Sequence, residues 1–170
     1  LLLKVQDKVG ANEWTGIGLG GYLQVSKSGI IHERIASYGR GNLHLCTNNV
    51  GDTADVAKSD ARLTIKYDGN VGIGTDNPTG LLHLSSTGDA ILRIDADSNN
   101  GSGEEDDNPA ILLTQDGGSK SFWTGMIGNP GTKLTGSTAN FGYLSTTHGL
   151  HFATDENAIR MTILENGNVG

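Results

Sequence analysis

Four short motifs occur twice in this chain, in the same order, and they constrain its architecture more than any other feature. The two copies lie 109 residues apart at the first motif, 107 at the second and 98 at the last two. Repeats lose residues in loops and keep those that stack, so the motifs predict one module used twice. The pairs are Trp14-Thr15-Gly16 with Trp123-Thr124-Gly125, Leu43-His44-Leu45-Cys46-Thr47 with Leu150-His151-Phe152-Ala153-Thr154, Arg62-Leu63-Thr64-Ile65 with Arg160-Met161-Thr162-Ile163, and Asp68-Gly69-Asn70-Val71-Gly72 with Asn166-Gly167-Asn168-Val169-Gly170.

The pattern inside the motifs predicts short β-strands. Apolar and polar residues alternate at 43–45, 62–67 and 160–164, whereas helical spacing is limited to a weak candidate at residues 54–58. Asp68-Gly69 and Asn166-Gly167 predict type I′ hairpin turns, in which both central residues have positive φ. With 26 glycines in 170 residues, we expect an all-β fold of roughly 11 to 14 strands joined by tight turns.

The repeat also predicts how the chain is divided. We expect a first β module at residues 1–72, a linker turn rich in Gly and Pro at 73–81, and a second β module at 82–170. The chain begins part-way into the first module, so we expect a slice of a longer polypeptide. Only 35% of the residues are hydrophobic and 5% aromatic, which is little core for two such modules, and partner chains are expected to supply further burial.

Charge and composition exclude several classes of function. The net charge is −7 without a basic patch, which argues against nucleic-acid binding. The longest apolar runs fall well short of the ~18 residues of a membrane span, so we expect no membrane insertion. Cys46 is the single cysteine, so an internal disulfide is impossible, and we interpret Cys46 as a small apolar strand residue.

One segment resembles a known family. Residues 62–78, which include Gly-Asn-Val-Gly-Ile-Gly-Thr-Asp-Asn-Pro at 69–78, and the following Leu82-His83-Leu84 resemble the repeat of bacteriophage tail fibres and related virion appendages, where it often precedes an intramolecular chaperone domain. Residues 86–97, 106–109 and 115–118 also resemble these fibre repeats. The resemblance implies tandem β-rich modules in a fibrous homotrimer, intertwined or prism-like, located in the virion. It implies as partners a host cell-surface glycan or protein receptor and other fibre or tail proteins.

The preferred function is therefore a structural segment of a trimeric viral tail fibre or spike, mediating reach and host attachment. Similar repeats occur in bacterial surface proteins, so the alternative is an extracellular adhesin or fibre. A glycan-degrading tail spike is the second alternative, and the spacing of the acidic residues does not favour it. Because the chain has no nucleophile elbow and no His-Glu-x-x-His motif, we expect no enzymatic activity and no cofactor other than a possible calcium ion.

The candidate site residues form three groups. The acidic segment has the donor spacing of a calcium loop at Asp95, Asp97, Asn99 and Asp106, but Asn100 replaces the turn glycine, and a solvated loop is the preferred interpretation. His44, His83 and His151 alternate with apolar residues and either converge on a trimer axis or face water or a neighbour. Receptor contacts are expected where the two copies diverge, at residues 18–41, 48–60 and 128–149, with Tyr22, Tyr38 and Tyr143 as candidates.

Overall fold

The fold is built from β-strands. The structure, a computed structural model, describes residues 2–7, 14–22, 25–96, 107–128, 134–136, 138, 141–154 and 158–170. Across these ranges the chain forms twelve strands, and its other regular elements are three 3-10 turns of three residues each. The predicted all-β fold is confirmed, and the number of strands lies within the predicted range.

The first compact unit, Leu1–Leu92, contains a single seven-stranded sheet whose strands follow one another in sequence order. Strands β1 to β6 form an antiparallel meander, and β7 lies parallel to β6. The strands are β1 (Leu2–Asp7), β2 (Trp14–Tyr22), β3 (Val25–Arg34), β4 (Gly41–Thr47), β5 (Ala61–Ile65), β6 (Val71–Ile73) and β7 (Leu82–Leu84).

The second compact unit, Arg93–Gly170, contains two smaller sheets. Strands β8 (Ala110–Gln115), β9 (Lys120–Met126) and β10 (Gly142–Thr146) form an antiparallel sheet with β9 in the centre. Strands β11 (Leu150–Thr154) and β12 (Ala158–Ile163) form a separate hairpin. Contacts thus divide the chain after Leu92, and the module boundary expected at residues 73–81 stays a prediction.

The repeated motifs form two hairpins with the same register. In both, the histidine of the first strand lies opposite the threonine of the second, the next residue is still in regular register, and the pairing shifts directly after it. The pairs are Leu43 with Ile65, His44 with Thr64 and Leu45 with Leu63 in β4–β5, and Leu150 with Ile163, His151 with Thr162 and Phe152 with Met161 in β11–β12.

The prediction of type I′ turns is wrong. Gly69 and Gly167 have positive φ (94° and 84°), but Asp68 and Asn166 do not. The Gly69 amide donates to the Lys66 carbonyl, and the Lys66 amide to the Asn70 carbonyl, at 2.9 and 2.8 Å. The loop therefore has three residues, a type I turn followed by a left-handed glycine, and needs positive φ at one position only.

The weak helix candidate at residues 54–58 is also wrong. Residues 54–57 are irregular, and only Lys58–Asp60 forms a single 3-10 turn. The backbone amides here bind distant or side-chain acceptors: Val56 donates to the Ser26 carbonyl at 2.7 Å, and Ala57 to a carboxylate oxygen of Asp60 at 2.9 Å. These bonds replace those that a helix would have made.

Gly74, in the connection that follows β6, should not tolerate a side chain. Its φ is +75°, and an added Cβ would overlap the carbonyl oxygen of Ser85. We expect Gly74→Ala to lower the free energy of unfolding by at least about 1–2 kcal/mol, the cost of a left-handed residue with a Cβ. Chemical denaturation measures this, with Gly80→Ala as control because a Cβ there meets open space. Equal effects of the two variants would contradict the geometry.

Candidate functional site

The centre of the seven-stranded sheet buries polar side chains on one face. Glu33 on β3 lies opposite Asn42 on β4, and His44 on β4 lies opposite Thr64 on β5. Because alternate residues of a strand share a face, all four side chains point to the same side. They are 8%, 4%, 1% and 1% exposed, respectively, which is unusual burial for such groups and requires that their polar atoms be paired. We call them, together with Lys58, the polar cluster.

The polar cluster is connected by hydrogen bonds. One carboxylate oxygen of Glu33 (Oε2) accepts from Asn42 Nδ2 at 3.0 Å and lies 3.2 Å from His44 Nε2. The other, Oε1, accepts from Lys58 Nζ at 2.7 Å. His44 Nδ1 lies 3.0 Å from Thr64 Oγ1. Since the carboxylate can only accept, His44 donates from Nε2, and in its neutral form its Nδ1 accepts from the Thr64 hydroxyl.

The charge of Glu33 is held in place by its donors. Burial by itself raises the pKa of the Glu33 carboxyl, but the bonds from Lys58, Asn42 and His44 outweigh burial and leave the pKa below its ordinary value of 4.5. Glu33 is therefore a carboxylate at neutral pH, paired with the ammonium of Lys58 at its outer oxygen.

A hydroxyl, an imidazole and a carboxylate in this order form the chain of groups found in nucleophilic catalysis. Here, however, Thr64 and His44 are each only 1% exposed, so no substrate carbonyl reaches the hydroxyl in this conformation. The glutamate is also bound by Lys58 and Asn42. The contacts of Glu33 instead hold a loop against the sheet, because Lys58 belongs to that loop.

That loop, residues 48–60, covers the polar face through several contacts. Asp55 accepts hydrogen bonds from the Ser26 amide and hydroxyl at 2.9 and 3.0 Å. Val56 packs with Ile31 and Cys46 in a small buried cluster, and Gly29 makes room for it, because a Cβ there would lie 2.9 Å from a methyl group of Val56. Lys58, at the end of the loop, adds its ion pair to Glu33.

The second hairpin repeats part of this arrangement. His151 Nδ1 lies 2.9 Å from Thr162 Oγ1, as His44 does from Thr64. Arg160 Nε donates to Thr154 Oγ1 at 2.9 Å, as Arg62 Nε does to Thr47 Oγ1 at 3.2 Å. The equivalents of Thr47 and Arg62, Thr154 and Arg160, are only six positions apart, so the sequence there is too short for a counterpart of the 48–60 loop. His151 is exposed.

The opposite face of the seven-stranded sheet carries aliphatic side chains in continuous rows. One row runs Ile17, Ile30, Leu45, Leu63, Ile73, Leu84 across six neighbouring strands. The next runs Leu43, Ile65, Val71, Leu82. With Leu19 beside them, these eleven residues form what we call the aliphatic face. Most of them are exposed, from 37% at Leu43 to 61% at Leu82, so the sheet covers its polar face and leaves its apolar face open.

The structure shows the neighbours of the candidate histidines within one chain. Alternation places His44 on the face opposite to Leu43 and Leu45, as expected, but this is the face that the 48–60 loop buries. His44 is therefore paired with neighbours and does not face water. His83 is half-buried and its Nδ1 accepts weakly from the Thr79 amide at 3.4 Å. Convergence of any of them on a trimer axis stays a prediction.

The three candidate tyrosines are not brought together. Tyr38 lies in the 3-10 turn Ser37–Gly39, is fully exposed and has a φ of 59°. Tyr143 lies on β10 in the second unit, and its hydroxyl is buried without a hydrogen-bond partner within the described part of the chain. The backbone of Tyr22 ends β2, opposite Val25. Their role in receptor binding stays a prediction.

The calcium prediction falls largely outside the described residues. Asp97, Asn99 and Asp106 lie there, whereas Asp95 is exposed and pairs with Arg93, with 2.8 Å between Arg93 Nε and Asp95 Oδ2. Within the ranges that the structure describes, no group of three or more His, Cys, Asp or Glu side chains is arranged to hold a metal ion. Nor does any helix in those ranges have the length and apolar character to span a membrane.

Sequence reasoning missed Glu33, Asn42 and Lys58. Glu33 and His44 both lie on strands. Because alternate residues of a strand share a face, the register between the two strands would have shown that these side chains point to the same side of the sheet. The signal for Lys58 is weaker, because it reaches Glu33 from a loop 25 residues further along the chain.

Cys46 lies on β4 and is buried at 2% exposure with Ile31 and Val56, which agrees with its interpretation as a small apolar strand residue. Burial, reinforced by Asp60 and weakly opposed by Arg62, raises the pKa of its thiol to about 11. We expect iodoacetamide to alkylate the native protein at pH 8 about 100-fold more slowly than the urea-unfolded chain, since the thiolate is the reactive form. Equal rates for the two states would show that Cys46 is accessible.

Comparison with known proteins adds no family assignment. No protein-family model matches the chain, and no curated protein matches its sequence.

Proposed function

We propose that the chain is a structural segment of a trimeric viral tail fibre or spike, which gives the fibre reach and takes part in attachment to the host surface. The proposal comprises tandem β modules, a homotrimer of identical chains and a place in the virion. It is supported by the resemblance of residues 69–78 to the repeat of tail fibres and by the all-β fold.

The observation that carries the proposal is that one hairpin is built twice. The hairpins β4–β5 and β11–β12 share their register, the position of their irregularity, a His–Thr bond, an Arg–Thr bond and the same glycine-closed turn. A single two-stranded hairpin is at best marginally stable in water. Repeated units gain stability from their neighbours, which is typical of extended repeat proteins.

Small-angle X-ray scattering tests this proposal because it reports mass and shape together. A compact particle of three chains of 170 residues would have a radius of gyration of about 24 Å. A fibre segment is expected to have the mass of three chains and a radius of gyration well above that value. A compact particle, or the mass of one chain, would contradict the proposal.

Tyr38 is the best-supported candidate for attachment. Its side chain is fully exposed, and its backbone is left-handed, which is costly for a residue with a Cβ and is concentrated at functional positions. It also lies in the segment 18–41, where the two copies of the module diverge. A rigid, exposed aromatic ring is a common anchor for a receptor.

We expect Tyr38→Ser to weaken binding to host cells about tenfold or more without changing the oligomeric state, since the side chain is fully exposed. Binding is measured by flow cytometry with fluorescently labelled protein, on the strain of a bacterial panel that wild type binds best. Tyr67→Ser is the matched control, because Tyr67 is 54% exposed but lies in the hairpin turn that recurs in both modules. Equal losses for both variants, or no strain that binds wild type, would contradict this role.

A further inference from the structure

The aliphatic face lies on the side of the sheet opposite to the polar cluster, and most of its side chains are exposed. Its eleven side chains lie in register on six consecutive strands, and the adjacent cross-strand pairs bring them into direct contact along each row. A soluble chain rarely leaves so continuous an apolar surface in water, and such surfaces mark contacts with other molecules.

We propose that this face is the surface through which identical copies of the chain bind one another. This inference rests on the proposed function, because it assigns the assembly of the fibre to particular residues. The aliphatic face of one chain is covered by the aliphatic face of a neighbouring, identical chain.

The distribution of charge permits an identical partner at this face. Each chain carries a net charge of −7, so two copies repel one another wherever their acidic surfaces meet. Among the described strand residues on this face from β2 to β7, the ionisable ones are His32, between Thr15 and Leu43, and Arg34, opposite Gly41, and none is acidic. The aliphatic face is thus the part of the sheet on which like-charged chains can approach closely.

The second module supports it independently. The positions equivalent to Leu43, Leu45, Leu63 and Ile65 are Leu150, Phe152, Met161 and Ile163, which are all apolar and occupy the same places in the hairpin register. Phe152 and Met161 are 42% and 37% exposed. An identical neighbouring chain has the same apolar residues in both of its hairpins. An unrelated partner would need an apolar surface for each of the two hairpins.

The other face of the sheet is already occupied, which limits where a neighbour can bind. Residues 48–60 cover it through the Lys58–Glu33 ion pair, the bonds from Ser26 to Asp55 and the packing of Val56. The loop is held by charges and hydrogen bonds as well as by apolar contact, so displacing it would leave buried polar groups unpaired. The aliphatic face requires no such displacement.

Substitution at the centre of the face tests the inference. Leu45 lies between Ile30 and Leu63 in its row and is 43% exposed, so Leu45→Lys places a charge in the proposed interface while leaving the buried cluster intact. Val50→Lys is the control, because Val50 is 55% exposed on the loop that covers the opposite face. Sedimentation equilibrium at micromolar concentration measures the mass, and circular dichroism measures the strand content.

We expect wild type and Val50→Lys to be trimeric and Leu45→Lys to be a folded monomer, with association weakened at least 100-fold. If Leu45→Lys loses its strand content, Leu45→Ala provides the same comparison without a buried charge, and its association should still be weaker than that of wild type. Trimers of unchanged affinity in the Leu45 variants would overturn the inference but leave the proposed function standing.

A monomeric wild-type chain would overturn both the inference and the trimer of the proposed function. Flotation with phosphatidylcholine vesicles completes the experiment, because a lipid surface is the other partner that an uncharged apolar face fits. A monomer that floats with the vesicles would assign the face to lipid. A trimer that stays at the bottom of the gradient agrees with burial of the face between copies.

Discussion

Replacing Glu33 with alanine is expected to lower the free energy of unfolding of the first unit by about 3 kcal/mol, as the removal of one partner from a buried ionic network does. The substitution leaves Asn42 Nδ2 and His44 Nε2 buried without their acceptor and releases Lys58 from the sheet. Thermal unfolding followed by circular dichroism measures the change. Asp89→Ala, at an exposed position, is the control and should change stability by about 0.5 kcal/mol or less.

The same site predicts a pH dependence. Because the folded pKa of Glu33 is lowered relative to 4.5, the folded state favours the carboxylate, and this stabilisation is fully present above the unfolded pKa. It is lost as the pH falls below about 4.5 and through the folded pKa. Glu33→Gln cannot ionise, so its melting temperature should fall less than that of wild type between pH 6 and pH 3. If the melting temperatures of the two proteins fall equally between pH 6 and pH 3, the hydrogen-bonded network does not stabilise the charged form of Glu33.

Ile31→Ala is the second substitution with a large expected effect, about 3 kcal/mol, because truncating a fully buried isoleucine removes its burial and leaves a cavity. Ile31 is 1% exposed and packs with Cys46 and Val56 beneath the 48–60 loop. Its neighbour Ile30 has the same chemistry but is 42% exposed on the aliphatic face. The pair therefore separates the core of one chain from the proposed contact between chains.

The two isoleucine variants should differ in how their effects depend on protein concentration. Ile31→Ala should lower the melting temperature at every concentration, because it acts within one chain. Ile30→Ala should act mainly by weakening association, so its melting temperature should depend more steeply on concentration than that of wild type. Identical behaviour of the two variants would contradict the assignment of the two faces.

The strands and the repeated hairpins follow from local pattern. Alternation at 43–45 and 62–65 follows the two-residue period of a strand. Because both segments recur later in the chain, the sequence also predicts that they form two equivalent hairpins. The turn at Tyr67–Gly69 was predicted in position but not in type, because Asp-Gly fits a two-residue and a three-residue loop alike, and the number of loop residues depends on the pairing register.

Which face of the sheet is covered does not follow from local pattern. Alternation assigns His44 to one side and Leu43 and Leu45 to the other, but the 48–60 loop decides which side is buried. Its contacts join residues far apart in sequence, such as Lys58 with Glu33 and Asp55 with Ser26. The ordinary expectation that leucines point inward therefore fails here, and the polar cluster was not predicted as a unit.

Native mass spectrometry of the wild-type chain tests the central claim most directly, because it counts the copies in the assembly. One chain has a mass of 17.8 kDa. If the chain is a fibre segment whose copies bind through their aliphatic faces, we expect a dominant species with three times that mass at micromolar concentration. A dominant species of a single chain, with its strands intact by circular dichroism, would contradict it.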